Sequence, residues 1–490
     1  MAPFSSLIPK REKKIKVKKI NIVLMVFGAF ALPGAAQAAS LLEIYQQALQ
    51  SDPQIHEAEA RRLAALEAKP QARGVLLPQV SWDGDWTKSE FDGTSVEIDS
   101  DGSLGSLTSA SESEVKRWQF TLRQTLFRWD QIVGLRRADK LVAKAEAVRE
   151  AAQQDLILRV AQRYFDVLAA EDRLTSIHAD RTAIARQLEQ AKQRFEVGLI
   201  AITDVQESQA AYDNSIANEI AAKRSLATAR EFLREITGEY VTALSAPGED
   251  FPLITPTPND ETSWVNLSMS QNLNLVASRL DEQLARDEIS FRRNGHYPSI
   301  DFVASSGETD TEADRSFNNS PFISANSDGS RDSISVQFNV PIFAGGGTTS
   351  RVREAVYLHR ASREQLQRVT RATERQARDA YLGVISERSR VKALEQAVAS
   401  SRTALEATEA GFEVGTRTIV DVLNSQFVLY LAITNYYQSR YDYVLNALRL
   451  KQAAGTLEVQ DLERIDRWLS ERKPPEQAIA EEEAAEAAGS

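Results

Sequence analysis

The residue types that most often carry catalysis are sparse in this 490-residue chain, and nothing gathers them. It has no cysteine, and its four histidines, His56, His178, His296 and His359, stand far apart without a close-spaced ligand partner. A disulfide framework, a cysteine-based zinc site and a lipid on cysteine are thereby excluded, and no metal-ligand spacing remains. Gly345-Gly346-Gly347 lacks the lysine and the serine or threonine that a phosphate-binding loop requires, so it reads as a flexible junction between a strand and a helix. No nucleophile elbow occurs. Paired carboxylates are abundant, but they fall on helical patterns where such residues form solvated faces. The chain is therefore not expected to be an enzyme, and neither a catalytic residue, a metal nor a cofactor is expected.

What the sequence does offer is a corner used twice. "GFEVGTRTIVDVLNSQ", residues 411–426, is nearly repeated 217 positions earlier as "RFEVGLIAITDVQESQ", residues 194–209, and nine of the fifteen positions from Phe195 and Phe412 onward are identical. In each copy a helical pattern stops near Val-Gly and another starts close to an aspartate. Gly198 and Gly415 suit the position just past a helix end, where a positive φ costs glycine little. Asp204 and Asp421 suit a helix N-terminus, where negative charge is favoured, and Thr203 to Gln206 fits a capping box. The copies differ in charge: Arg417 stands where the first corner has Ile200.

Long helices must carry these corners. Proline is absent between Pro78 and Pro247 and again between Pro341 and Pro474, in windows rich in helix-forming residues. Leu174, Ile177, Arg181, Ile184, Leu188, Ala191 and Phe195 step by three and four, a heptad seam interrupted by Arg181 and repeated 217 residues later. A helix from about Gln131 to Glu196 would run ~100 Å. Shorter helical stretches, Leu41 to Ala72, Asp204 to Ile236, Ser263 to Arg293 and Asp421 to Ala454, are about half as long, so two stacked end to end would match one long helix. Asp52-Pro53-Gln54-Ile55 and Asn272-Leu273-Asn274-Leu275 occupy corresponding places. A two-fold internal repeat is expected, residues 39–240 and 263–455, joined by a proline-rich linker over 241–262 and followed by a C-terminal segment, 456–490, with a disordered acidic end.

Two-faced strands complete the pattern. "VKRWQFTLRQTLF" and "SISVQFNVPIF" alternate apolar with polar residues, and weaker partners begin at Pro78 and Pro298. Strands of about ten residues are expected near 78–87, 116–127, 298–306 and 332–343, with polar loops over 88–114 and 306–331. Residues 1–38 read as a secretory signal peptide: a basic start, an apolar run from Ile20 to Leu32, and Ala36-Gln37-Ala38 as cleavage site. Its removal takes away seven basic residues and one acidic, moving the net charge from -11 to -17, which argues against nucleic acid as a partner. With a secretory leader, such strands fit an outer-membrane barrel better than a soluble sandwich. Four strands cannot close alone in lipid, so a barrel would be shared between chains; periodicity does not choose between two chains and three.

The two corners, the following "YDYVLNALRLKQAAGTLEVQDL" and the junction "NVPIFAGGGTTSRV" resemble the TolC family of outer-membrane channel-tunnels, in the same order, over about residues 40 to 465. The resemblance implies a mainly helical fold with a small β part: a homotrimer whose four strands per chain make a twelve-stranded barrel in outer-membrane lipid, continued by a coiled-coil helical tunnel through the periplasm. It implies a passive export duct for efflux or type I secretion, working with a periplasmic adaptor (membrane fusion) protein and an inner-membrane efflux or ABC-type pump. It places Asp421 at the aperture constriction, with Asn424 where the family has a second acid. It pairs Arg417 with Thr203 and Asp204 as a gate latch, and puts Phe412 where a tyrosine hydroxyl often joins that latch. The alternative, a periplasmic coiled-coil scaffold without a channel, leaves the strands unexplained.

Overall fold

The computed structural model describes residues 38–98, 102–248, 252–317, 320–321, 323–472 and 474–481. The expected leader, apart from Ala38, and residues 482–490 of the acidic tail lie outside the described residues. Helices α1 (Leu41–Ser51), α2 (Pro53–Leu66) and α3 (Ala68–Gly74) lead into strands β1 (Gln79–Ile98) and β2 (Leu104–Phe127). Helix α4 (Trp129–Glu196) follows, then α5 (Ile202–Thr237) and the short strand β3 (Ala246–Pro247). Next come α6 (Glu261–Gln271), α7 (Leu273–Arg292), β4 (Ser299–Phe317), β5 (Ile323–Asn339), α8 (Gly347–Glu413) and α9 (Ile419–Ala454). Helix α10 (Val459–Asp466) and strand β6 (Leu469–Ser470) close the order.

The long helices form where proline is missing: α4 has 68 residues and α8 has 67, while α5 and α9 have 36 each. Breaks in the shorter rods are set by capping side chains. Asp52 accepts a hydrogen bond from the Ile55 backbone N–H, with Pro53 at the first helical position, and Asn272 accepts one from Leu275 at 3.0 Å. These are the two corresponding positions noted in the sequence. Helices α4 and α7 are tied by Arg137–Glu288 at 2.5 Å, Lys140–Asp287 at 2.7 Å and Lys144–Asp281 at 2.6 Å.

The four long strands form one antiparallel sheet in the order β1-β2-β4-β5. They are about twice as long as expected, at 20, 24, 19 and 17 residues. The stretches expected as loops, 88–114 and 306–331, are mostly strand, paired from Lys88↔Glu114 to Ile98↔Leu104 and from Gly307↔Arg331 to Arg315↔Ile323. Their Gly, Ser and Asp content disfavours strands locally, but the register fixed in the apolar half carries the backbone ladder onward. Cross-strand pairs support it, including Lys88 to Glu112 at 2.5 Å and the Ser89 and Ser113 hydroxyls at 2.8 Å. Strand β5 stops at Asn339, short of the expected 343, because Pro341 has no N–H to donate.

The main core lies where α1, α4, α5, α9 and α10 meet, around Leu41, Ile44, Leu156, Tyr164, Phe165, Leu226, Leu445 and Leu462. The segment read as a linker is part of it. Leu244 and Ala246 are buried, β3 pairs with β6, and the Tyr443 hydroxyl donates to the Ile254 carbonyl. Two buried acids, Glu171 and Asp172, anchor this region: Asp172 is paired with Arg472 and accepts from the Tyr441 hydroxyl, while Glu171 meets Arg230 at 3.1 Å.

Candidate functional site

Both corners are helix-turn-helix hairpins. Helix α4 ends at Glu196 and α5 begins at Ile202; α8 ends at Glu413 and α9 begins at Ile419. Gly198 and Gly415 have φ of 73° and 77°, the left-handed conformation expected of them. Nothing lies within 4 Å of where a Cβ would sit at either, so backbone conformation, not crowding, selects glycine there.

The helix starts differ. In the second hairpin Thr418 and Asp421 close a capping box: the Thr418 hydroxyl accepts from the Asp421 N–H at 3.3 Å, and Asp421 Oδ2 accepts from the Thr418 N–H at 2.9 Å. The Thr418 hydroxyl also lies 2.9 Å from Oδ2. These bonds, the Thr418 N–H first, hold the Asp421 carboxyl below its ordinary value, with Arg417 adding to the effect. In the first hairpin the cap is Ala201, which has no side-chain oxygen to offer. The capping box expected over Thr203 to Gln206 does not form, because the helix has already begun at Ile202 and places Thr203 inside the first turn. Asp204 is left half-buried in that turn, where the helix dipole favours its charge.

Of the predicted latch, the single chain assembles part. Arg417 is exposed, and among the described residues no ion pair joins it to Asp204 and no hydrogen bond joins it to Thr203. Phe412 is in contact across the hairpins, its ring lying under the Arg194 guanidinium at 5.0 Å. Ile200, at the position corresponding to Arg417, packs on Leu188, Ala191 and Val205. The difference between the hairpins is thus one of environment: an isoleucine folded into its own hairpin against an arginine directed to solvent. Asn424, one turn beyond Asp421, is exposed.

Sequence reasoning missed a further residue that ties the second hairpin to the first. Gln426, buried, donates from Nε2 to the Asp180 side chain at 2.9 Å and to its carbonyl at 3.1 Å, and its Oε1 accepts from Gln187 at 2.8 Å. The signal was present in the repeated Ser-Gln at the end of the motif. The first copy's Gln209 bonds Asp213 of its own helix instead.

The sheet presents two chemically different faces. On one, Val80, Leu122, Ala304 and Ile334 stand in one row across the four strands; Trp82 and Phe120 lead the next, which continues through Ser306 and Asp332, and Phe302 with Val336 and Ile300 with Phe338 lie below. At two residues per row these four rows cover about 20–25 Å, the height of a hydrocarbon layer. Ile334 remains 79% exposed and Phe338 65% exposed. Beyond that band the same face turns acidic, with Glu90, Glu112, Glu114, Glu308, Asp310, Glu312 and Asp314. The opposite face is mostly polar, through Ser81, Thr121, Ser305 and Ser333 and the two rows above them, with Phe91, Val115 and Val303 among its apolar exceptions. Among the described residues no helix is long and apolar enough to cross a membrane.

A sequence model of one family, described as "Outer membrane efflux protein", matches residues 44–239 and 264–456. The chain belongs to the outer membrane efflux protein family. The two matched segments flank the packed linker. An outer membrane protein TolC from Vibrio cholerae is 37% identical over 93% of this chain and all of its own length, and that of Escherichia coli K12 is 36% identical over 93% and 90%. The alkaline protease secretion protein AprF of Pseudomonas aeruginosa is 27% identical over 91% of each chain. Among solved structures, the outer-membrane channel OprN superposes with a TM-score of 0.68 at 15% identity over 87% of this chain and 94% of its own, which bears on the fold alone. This member of the outer membrane efflux protein family is an outer-membrane protein, mainly helical with a small strand part, and its relatives are efflux and secretion channels rather than enzymes.

Proposed function

We propose that the protein is the outer-membrane export duct of an efflux or type I secretion system, assembled as a homotrimer with a twelve-stranded barrel and a helical tunnel. The sheet carries this reading. Its apolar band is the height of a bilayer core, and among the described residues β1 pairs only with β2 and β5 only with β4, so both edges are open. Open edges facing lipid cost several kcal/mol for each unpaired backbone group, which strands from further copies would remove. The half-covered heptad positions of α8, such as Leu394, Val398 and Leu405, and the exposed Phe427, Val428 and Leu431 of α9 supply helical surface for the same association. The matching lengths of the two sets of helices support an internal duplication.

In this assembly the tunnel begins at the helical hairpins. Three copies of Asp421 near one axis make a negative constriction, each carboxylate kept ionised by its cap, and Asn424 leaves it with fewer charges than a two-acid ring. Arg417, for which among the described residues the one charged neighbour in its own hairpin is Asp421, supplies the latch toward the Thr203-Asp204 corner, and Phe412 contributes through Arg194 rather than through a hydroxyl. Partners follow from the same reading: a periplasmic adaptor and an inner-membrane pump that supplies the energy. Single-channel conductance in a planar bilayer tests it. Wild type is expected to conduct weakly, Arg417→Ser to conduct more, and Asp421→Ala to lose cation preference. A protein that forms no pore would exclude the duct; three equally open pores would exclude the gate.

A further inference from the structure

On the polar face of the sheet, the row above Ser305 and Ser333 reads Asp83, Gln119, Gly307, Arg331, and the next reads Asp85, Arg117, Thr309, Gly329. Gly307 and Gly329 leave a floor without side chains in the middle of it. A Cβ at Gly307 would stand 2.5 Å from the Trp118 carbonyl oxygen, so the floor cannot be filled without moving β2 from β4. The result is a hollow of about 540 Å³, flanked by Arg117 on β2 and Arg331 on β5, with Gln119 and Thr309 also on its lining. Strand spacing and the two-residue offset put the arginine Cα atoms roughly 12 Å apart, within reach of two extended guanidinium groups aimed at one anion.

The charges around it favour that use. Glu308 and Asp328 border the hollow but occupy alternate positions along their strands, so their side chains belong to the opposite face. Asp85 is registered opposite Arg117, and Asp83 lies three strands from Arg331. Among the described residues neither arginine forms an ion pair with them. A guanidinium left unpaired on a polar wall, with amide and hydroxyl donors beside it, is suited to a planar or tetrahedral oxyanion, which it can grip with two parallel N–H bonds.

We propose that Arg117 and Arg331 form an oxyanion-binding station on the inner wall of the barrel, one per chain, that holds carboxylate, phosphate or sulfate groups of passing cargo. This rests on the duct reading, which makes the polar face the lumen. The station would complement the acidic constriction at the hairpins: cations are concentrated at one end of the duct and anionic groups are handed on near the other.

The test uses the full-length protein in planar bilayers, with inorganic phosphate as probe against a chloride background, added to either side in turn. Wild type is expected to show phosphate-dependent current reduction from the barrel side, and Arg117→Gln with Arg331→Gln to require about tenfold more phosphate for the same reduction. Citrate in place of phosphate distinguishes a general oxyanion station, which responds to both, from a phosphate-specific one. Arg117→Lys with Arg331→Lys keeps the charge and serves as the folding control; it should respond to phosphate more weakly than wild type and more strongly than the glutamine pair. A normal pore whose phosphate response is unchanged in the glutamine pair would overturn the station while leaving the duct intact, as would a response lost equally in the lysine pair. Failure of wild type to form any pore would overturn both readings together.

Discussion

Thr418→Ala isolates the difference in helix capping between the two hairpins. Removing the hydroxyl deletes the acceptor for the Asp421 N–H and the donor 2.9 Å from Asp421 Oδ2. Loss of a threonine cap costs about 1 kcal/mol, which raises the population of the frayed first turn roughly fivefold. Native-state amide exchange on the detergent-solubilised protein reads this directly: the Asp421 amide should exchange about fivefold faster, while amides beyond the second turn of α9 and those of α5 keep their rates. The reciprocal change, Ala201→Thr, places a hydroxyl three residues before Asp204 and should slow the Asp204 amide by a similar factor. The carboxyl gives an independent readout. Because its folded value is depressed, the bond it makes to the Thr418 N–H is present above the ordinary carboxylate range and is lost as pH falls through the lowered value. In Thr418→Ala that loss should begin at higher pH. Unchanged exchange at Asp421, or acceleration spread evenly along α9, would refute the assignment of the cap as a local device.

Two further changes probe the frame. Gly455 ends α9 at φ 74°, and a Cβ there would collide with the Gln271 carbonyl, so Gly455→Ala should destabilise by about 2 kcal/mol or more and lower the thermal unfolding midpoint, whereas an unchanged midpoint would mean that α6 yields freely. Burial raises the Asp180 carboxyl above its ordinary value despite the Gln426 bond, so its charge opposes folding at neutral pH and ceases to as pH falls through the raised value. Asp180→Asn, which keeps an oxygen for Gln426, should raise the midpoint at pH 7 and leave it unchanged near pH 3.5; an equal rise at both would assign the effect to packing.

The long helices were legible because they depend on local facts: no proline over more than a hundred residues, and apolar positions at helical spacing. The strands were legible only in their apolar half. Alternation announces a sheet where one side is greasy, and it vanished at Lys88 and Glu308 although the ladder did not, since backbone pairing propagates from a fixed register without help from propensity. The hairpin glycines could be read from conformational need alone. The caps could not: Thr203 was the expected cap, but α5 already starts at Ile202, and the capping box forms instead at Thr418 of the other hairpin. Least legible were the buried acids. Asp172 resembles any carboxylate on a charged helix, and its partner Arg472 lies 300 residues away, a pairing that no local pattern encodes.

The way the core is knit has a consequence for timing. Residues from 39–48, Leu244 with Ala246, and Leu457, Leu462, Ile465 and Ile479 enter one cluster: Ala39 bonds Ala243 and Ser245, Asp466 accepts from the Leu41 N–H at 2.9 Å, and Ile479 is buried with Leu244. Contacts spanning more than 400 residues cannot form until the late segments are available, and ordering so long a loop earlier carries an entropic penalty with no compensating contacts. The helical hairpins α4–α5 and α8–α9 pack against neighbours close in sequence, whereas this cluster closes only when residues from both ends of the chain are present. Closing the core is therefore a late event in folding, tied to the arrival of the C-terminal segment.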